Sequence, residues 1–177
     1  MHLRLFSKVI AVATGILLLT SSPAGAAPIP TQPNLDENTL AEGASDSSTT
    51  QGGTAKVNAL DRTDNGVTAL AWTLVNEGND TISIQANVVG NTYLYRGWAF
   101  SGVTLLDQED QVRYHPLMDD DGGCLCSAGE GVPPEFVTIV GANRHATYSS
   151  MFQLPEDVDA VTVEIPGFEP IEDVPVS

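Results

Sequence analysis

Basic residues are scarce in this sequence, and their scarcity excludes one class of partner. The chain carries 7 Lys and Arg residues against 23 Asp and Glu residues, which gives a formal net charge of -16. Binding to nucleic acid needs clustered Lys or Arg to neutralise phosphates, so we expect no nucleic-acid partner. Hydrophobic residues still make up 42% of the chain, which is too many for a disordered acidic protein. A folded, strongly acidic domain is therefore expected.

Long apolar runs are also lacking, and the one short run lies near the N-terminus. Two basic residues precede an apolar stretch over residues 9–19, and the small residues Ala24, Gly25 and Ala26 follow it. The stretch is shorter than the ~20 apolar residues of a membrane-spanning helix, so residues 1–26 are predicted to be a cleaved signal peptide. We expect a secreted protein without a membrane span. No lipid anchor is expected either, because no cysteine lies near the cleavage site.

Large apolar side chains are rare in the segment that follows the signal. Residues 27–54 are mostly Pro, Ser, Thr, Gly and acidic residues. Such a composition buries too little surface to offset the entropy lost on ordering, so this segment is predicted to be a disordered linker. Residues 55–177 are predicted to form one folded domain.

Helical periodicity is missing from that domain, where apolar residues alternate with a period of two. The alternation predicts strands over residues 56–62, 67–76, 81–86, 103–106, 111–115, 136–140, 146–154 and 161–165. Turn-forming residues predict a hairpin of 67–76 with 81–86, and a second hairpin of 103–106 with 111–115. We therefore predict an all-β fold, an antiparallel β-sandwich of about seven to eight strands, with a closed antiparallel sheet as the competing architecture.

Several segments of the second half of the chain resemble a known family. They are Gly102–Asp107, Arg113–Leu117, Cys124–Ser127, Val163–Phe168 and Asp173–Val176. They resemble the immunoglobulin-like N-terminal domain that precedes the peptidoglycan-associated domain in secreted actinobacterial OmpA-family proteins. The resemblance implies an immunoglobulin-like β-sandwich in a cell-envelope or extracellular setting, and it implies no catalytic residues. The peptidoglycan-binding OmpA domain that follows in those proteins is expected to be missing, because the sequence stops at Ser177.

The chain has only two cysteines, Cys124 and Cys126, so a disulfide that joins the two sheets is excluded. Secreted proteins usually oxidise their cysteines, and a local disulfide within the loop is predicted. Such a bridge closes a very small ring, so we expect it to add little stability and to be easily reduced. A redox-active bridge is an alternative that needs a neighbouring group to tune the thiols.

Candidate metal ligands lie close to the cysteines. His115 and Met118 are ligands that suit copper or zinc together with thiolates, although no complete spaced motif is present. Asp119, Asp120 and Asp121, followed by two glycines, form an acidic turn whose carboxylate oxygens could hold calcium. A solvated acidic turn is the simpler interpretation. No cofactor is therefore predicted, and calcium stays the open alternative.

Aromatic residues are concentrated in one stretch that contains Tyr93, Tyr95, Trp98 and Phe100. An exposed strip of this kind could stack on sugar rings or anchor a partner protein. Core packing explains at least about half of these residues more simply. The strip is therefore a candidate binding surface with a structural alternative.

Catalytic constellations are not found. The chain without its signal keeps two histidines, His115 and His145, and it has no nucleophile elbow, phosphate-binding glycine loop or His-Glu zinc motif. The sequence therefore predicts a secreted, non-catalytic module that binds a protein or envelope component. The alternative is an extracellular metal-binding or redox protein centred on residues 115–126.

Overall fold

Alternating apolar residues build β-strands throughout the described part of the chain. The computed structural model describes residues 38–63, 65–84, 94–96, 100–127 and 138–177. The ten strands are β1 (Ala41–Ala44), β2 (Gly53–Arg62), β3 (Val67–Asn76), β4 (Ile82–Ser83), β5 (Thr104–Asp107), β6 (Val112–Tyr114), β7 (Ile139–Val140), β8 (Arg144–Gln153), β9 (Ala160–Glu164) and β10 (Ile171–Pro175). No helix occurs in the described residues, which confirms the all-β prediction. The count exceeds the predicted seven to eight strands because β1 and β10 lie outside the predicted ranges.

The strands form two four-stranded antiparallel sheets and one smaller pair. Sheet A has the order β1-β2-β3-β8, sheet B has the order β10-β9-β5-β6, and β4 pairs with β7. Apolar side chains from both large sheets belong to one buried cluster. The two sheets therefore pack face to face, and the predicted β-sandwich is confirmed.

Strands β3 and β8 form the centre of the core. They pair along their whole length, with Leu70 opposite Ser150 and Trp72 opposite Tyr148. Trp72 and Tyr148 are buried, and their ring centroids lie 4.7 Å apart. Each ring of this size removes about 150–250 Å² of surface from water, so the pair is a large part of the core.

One of the two predicted hairpins is confirmed and the other is wrong. β5 and β6 pair as predicted. β4 does not pair with β3, because β2 and β8 occupy both edges of β3, and it pairs instead with β7. Asn76 fixes this turn, since its buried amide donates to the carbonyl oxygens of Asp80 and Val140 at 2.8 and 2.9 Å.

Part of the predicted linker belongs to the fold, and this finding corrects the boundary at residue 54. Ala41–Ala44 form β1, which pairs with the first half of β2. At Gly43 the two sheets approach closely, because a Cβ atom there would lie 2.6 Å from the carbonyl oxygen of Glu169. The composition hides this strand, since a short edge strand of small residues needs no large apolar side chains.

Some predictions concern residues outside the described ranges. The signal peptide, residues 1–26, and linker residues 27–37 lie there, as do Tyr93 and Trp98. Within the part of the chain that the structure describes, no helix has the length and apolar character needed to cross a membrane.

Candidate functional site

The residues around the two cysteines form a tight β-hairpin over residues 117–127, which we call the disulfide hairpin. Its two arms pair through a hydrogen bond from the Leu125 amide to the carbonyl oxygen of Leu117 at 2.8 Å. Gly122 lies at the tip with a φ of 87°, a left-handed conformation that glycine adopts without steric cost. The acidic turn predicted over residues 119–121 is therefore the tip of this hairpin.

Cys124 and Cys126 have their sulfur atoms 2.01 Å apart, at disulfide bonding distance, as the sequence predicts. Their Cα atoms are 5.2 Å apart. In an extended strand, the Cα atoms of two residues separated by one other residue lie about 6.6 Å apart. The chain therefore bends at Leu125, and the bend lets this residue pair with two different neighbours.

Three backbone hydrogen bonds meet at the bend and form a closed ring. The Leu125 amide donates to Leu117 at 2.8 Å, and the Leu117 amide donates to Met151 at 2.7 Å. The Met151 amide closes the ring by donating to the carbonyl oxygen of Leu125 at 2.9 Å. We call Leu117, Leu125 and Met151 the junction. Because Met151 belongs to β8, the junction attaches the hairpin to an edge of sheet A and satisfies backbone groups that other strands could otherwise bind.

Tyr95 holds the hairpin in place and corrects one of the predicted binding residues. Its side chain is 7% exposed and forms a buried cluster with Cys124, against which Cys126 also packs. Its hydroxyl donates to the carbonyl oxygen of Pro116 at 2.5 Å, and burial raises the pKa of Tyr95. A buried ring cannot stack on a ligand, so the exposed aromatic strip is wrong for Tyr95 and for Phe100, which is 1% exposed. For the other two aromatic residues it stays a prediction.

Asp119 uses its carboxylate within the hairpin. Its Oδ1 accepts hydrogen bonds from the amides of Asp121 at 3.0 Å and Gly123 at 2.7 Å. A Cβ atom on Gly123 would lie 2.7 Å from Asp119 Oδ2, so the glycine makes room for the carboxylate. Asp120 and Asp121 are exposed. The turn therefore contains one structural carboxylate and two solvated ones.

The structure does not bring the predicted metal ligands together. His115 lines a cleft of about 430 Å³ with Arg113 and Glu164, which the cysteines do not line. Met118 is 54% exposed. Within the described ranges, no group of three or more His, Cys, Asp or Glu side chains is arranged to hold a metal ion. The calcium, copper or zinc site through His115, Met118 and the residues 119–121 stays a prediction.

Asp119→Ala is expected to lower the free energy of unfolding by about 1 kcal/mol, because two hairpin amides lose their acceptor. Asp120→Ala removes an exposed carboxylate from the same turn and should change that energy by less than about 0.5 kcal/mol. Urea unfolding of both variants, with and without millimolar calcium, measures the difference. If Asp119 binds calcium instead, calcium will stabilise the wild type, and the two variants will differ only when calcium is present.

The outward side of sheet A lies beside the junction and carries few charges. The outward positions of the described strands β2, β3 and β8 hold mainly small or weakly polar side chains, and Asp61 is the one acidic residue among them. A cross-strand row runs from Asp61 through Ala69 to Met151 and on to the other junction residues. We call Ala69, Met151, Leu125 and Leu117 the apolar row. Leu125 is 43% exposed at one end of it.

Acidic side chains gather instead beside sheet B. A cleft of about 610 Å³ there is lined by carboxylates that include Asp107, Asp157 and Asp159. Asp107 is buried, and its Oδ1 accepts hydrogen bonds from two amides of the following turn at 2.9 and 3.3 Å. Partial burial, together with nearby negative charges that include Asp107, raises the pKa of Tyr114. These carboxylates contrast with the outward side of sheet A, where Asp61 and the Lys56–Glu42 pair are the acidic and basic residues.

Comparisons with known proteins identify no relative. The chain matches no protein-family model, no curated protein and no solved structure. The fold and the site define the chain as a β-sandwich domain with a disulfide hairpin. The resemblance to actinobacterial OmpA-family proteins stays a prediction.

The residues that shape this site are partly those predicted and partly new. The two cysteines are found by their spacing, but Leu117, Leu125 and Met151 are not among the predicted site residues. One signal could have indicated Leu125 alone, namely its place as an apolar residue between two cysteines. A disulfide between Cys124 and Cys126 draws their Cα atoms together, so it predicts a bend with the apolar Leu125 at its centre.

Proposed function

We propose that this chain is a secreted, non-catalytic β-sandwich module of the actinobacterial cell envelope or extracellular space that binds a protein or envelope component. The observation that carries the proposal is the apolar row, which reaches an exposed leucine beside a sheet face with few charges in an acidic protein. Ala69, Met151 and Leu117 are half-buried and continue the row from Leu125, and contiguous accessible apolar surface is typical of binding sites. We therefore assign binding to the outward side of sheet A.

Three features support the proposed setting. The N-terminal residues have the pattern of a signal peptide. Disulfides persist in oxidising compartments outside the cytoplasm, and the two sulfur atoms here are at bonding distance. The segments that resemble actinobacterial OmpA-family proteins point to the cell envelope.

The disulfide hairpin supports binding because it fixes part of the apolar row before a partner arrives. The bend at Leu125 and the junction hydrogen bonds hold Leu117 and Leu125 beside β8. Tyr95 packs against Cys124 and donates to Pro116, which anchors the hairpin. A preorganised surface loses little conformational entropy on binding. Leu125 is 43% exposed, so burial of the remaining part of its side chain then contributes about 1 kcal/mol.

The charge distribution limits the chemistry of the partner. A net charge of -16 repels anionic polymers at a distance. The outward side of sheet A adds little attraction for anionic polymers. The Nζ atom of Lys56 lies 4.0 Å from Oε2 of Glu42, and Asp61 adds a negative charge on the same side of the sheet. We therefore expect an uncharged or cationic partner.

The same geometry supports a non-catalytic role. Cys124 and Cys126 are at bonding distance from each other and so offer no free thiolate nucleophile. His115 lies in a cleft with Arg113 and Glu164 rather than beside the cysteines. Binding therefore explains the hairpin better than nucleophilic catalysis does.

Leu125→Glu is expected to weaken binding at least about a hundredfold while leaving the fold intact, because it places a charge where the partner must exclude water. Immobilised wild type and variant are exposed to envelope and culture-fluid fractions of an actinobacterium. Captured components are identified and purified, and their Kd values are measured by calorimetry. We expect a component that binds the wild type saturably and is lost from the variant.

Ile139→Glu is the matched control for this experiment. Ile139 is 61% exposed on β7, so the same charge enters an exposed apolar site outside the apolar row. The Kd of this control should equal that of the wild type. Equal weakening by both substitutions, or no saturable binding by the wild type, would contradict the proposal.

A further inference from the structure

Ser150 is a buried hydroxyl without a partner next to the disulfide hairpin. It is 1% exposed, and its Oγ has no hydrogen-bond partner among the residues that the structure describes. A buried group of this kind costs free energy in the folded protein, so its place calls for an explanation. Ser150 pairs with Leu70 on β3, and on the other side of β8 it forms an antiparallel bridge with Cys126.

The pairing of Ser150 with Cys126 brings a hydroxyl and a sulfur to the same side of the sheet. The hydrogen bonds on either side of this pair, at 2.8 and 2.9 Å, make it a non-hydrogen-bonded pair. In such pairs the Cα atoms lie about 4.5 Å apart and the side chains are close. Rotation about one bond of Ser150 can therefore aim its hydroxyl at the Cys126 sulfur.

The two cysteines differ in their access to solvent. Cys124 is 6% exposed and packs against Tyr95, whereas Cys126 is only partly buried. An external thiolate therefore reaches Cys126 more easily. The cysteines have a sequence separation of 2, so their bond restricts the unfolded chain little and adds little to stability.

We propose that Cys124 and Cys126 form a thiol–disulfide exchange site for an extracytoplasmic dithiol reductant, and that its redox state controls the junction. The inference rests on the proposed function, because the junction is part of the proposed binding surface. One thiolate of the reductant attacks the Cys126 sulfur, the S–S bond breaks, and Cys124 leaves as a thiolate that is protonated by water. The second thiol of the reductant loses its proton and attacks the reductant's sulfur in the mixed disulfide, and Cys126 leaves as a thiolate that takes up a proton. Two electrons and two protons pass to the protein, and the reductant becomes a cyclic disulfide.

The Ser150 hydroxyl favours the reduced state of this site. In the oxidised protein it lacks an acceptor among the described residues. After reduction, the Cys126 sulfur is released from its bond and can accept a hydrogen bond from it, most strongly as a thiolate. Removal of the hydroxyl should therefore shift the equilibrium toward the disulfide.

Reduction also releases the bend that the junction needs. The disulfide holds the two Cα atoms at 5.2 Å. Without it the chain relaxes toward the extended spacing of about 6.6 Å. Leu125 is then no longer held where it pairs with both Leu117 and Met151. The apolar row loses its preorganised end, which makes the binding surface sensitive to the redox state.

Equilibration of the protein with reduced and oxidised dithiothreitol tests the exchange site, with thiol alkylation and mass spectrometry as the readout. Ser150→Ala is expected to lower the equilibrium constant for reduction about five- to tenfold. Thr68→Val is the matched control, because Thr68 Oγ1 is also buried and without a partner in the described ranges but lies opposite Phe152. The equilibrium constant for reduction of Thr68→Val should equal that of the wild type. Equal equilibrium constants for the wild type and both variants would overturn the proposal. Reduction that occurs only at reductant concentrations at which the wild type unfolds would also overturn it.

Amide hydrogen exchange of the wild type follows the junction without any partner. On reduction, the amides of Leu117, Leu125 and Met151 are expected to exchange at least about tenfold faster, while the amides of β3 keep their rates. Unchanged exchange at these three amides would overturn redox control of the junction. Because this readout involves no ligand, it can succeed where the Leu125→Glu binding test fails, so the two failures are distinguishable.

Discussion

A chain that begins at Ala55 is expected not to fold cooperatively, whereas a chain that begins at Asn38 should be as stable as one that begins at Ala27. The shortest chain lacks β1 and therefore the antiparallel partner of the first half of β2. It also lacks Thr50, whose fully buried hydroxyl donates to the carbonyl oxygen of Gly167 at 2.6 Å. Sheet A would then end in an open edge above the apolar core.

The expected size of this effect follows from the marginal stability of domains. Two of the lost backbone hydrogen bonds tie the sheets together, from Glu169 to Ala44 at 2.9 Å and from Asp46 to Gly167 at 3.1 Å. Each lost hydrogen bond costs about 1 kcal/mol, and a whole domain is stable by only about 5–15 kcal/mol. Urea unfolding followed by circular dichroism compares the three chains. Coincident transitions would show that the folded domain starts after residue 54, as its composition predicts.

Alternation could predict those strands in which one face is fully buried. β3 occupies Val67–Asn76, the predicted range, because a shift by one residue would turn its whole apolar face to solvent. β10 escapes prediction because a register shift between Ile171 and Val174 breaks the period of two, and Asp173 adopts a φ of 55° there. Bulges and short edge strands depend on neighbours in space, which a local pattern does not identify.

The disulfide could be predicted from the sequence, but the junction could not. Two cysteines close together in a chain with a predicted signal peptide predict a bond between them. The ring of hydrogen bonds through Leu117, Leu125 and Met151 joins distant parts of the chain, and no local pattern encodes it. Tyr95 illustrates a second limit. Spacing can place aromatic residues on one face, but packing against the hairpin decides whether that face is buried.

Asn76→Leu is expected to lower the free energy of unfolding by about 3–5 kcal/mol, because three backbone groups lose their partner. Asn76 is fully buried, and its Nδ2 donates to the carbonyl oxygens of Asp80 at 2.8 Å and Val140 at 2.9 Å. Its Oδ1 accepts from the amide of Gly78 at 3.0 Å. Leucine has a similar size and can replace none of these bonds. Urea unfolding measures the free energy, and calorimetry should show a Tm lower by about 10–17 °C.

Asn79→Leu makes the same chemical change at an exposed position of the same turn and should stay within about 0.5 kcal/mol of the wild type. Equal effects of the two substitutions would contradict the role assigned to Asn76. That role also bears on the proposed function, because Asn76 holds the turn after β3 against β7, with which β4 pairs. The edge of β8 beside Met151 pairs with the disulfide hairpin. Loss of junction amide protection in the same unfolding transition would show that this turn and the apolar row belong to one cooperative unit.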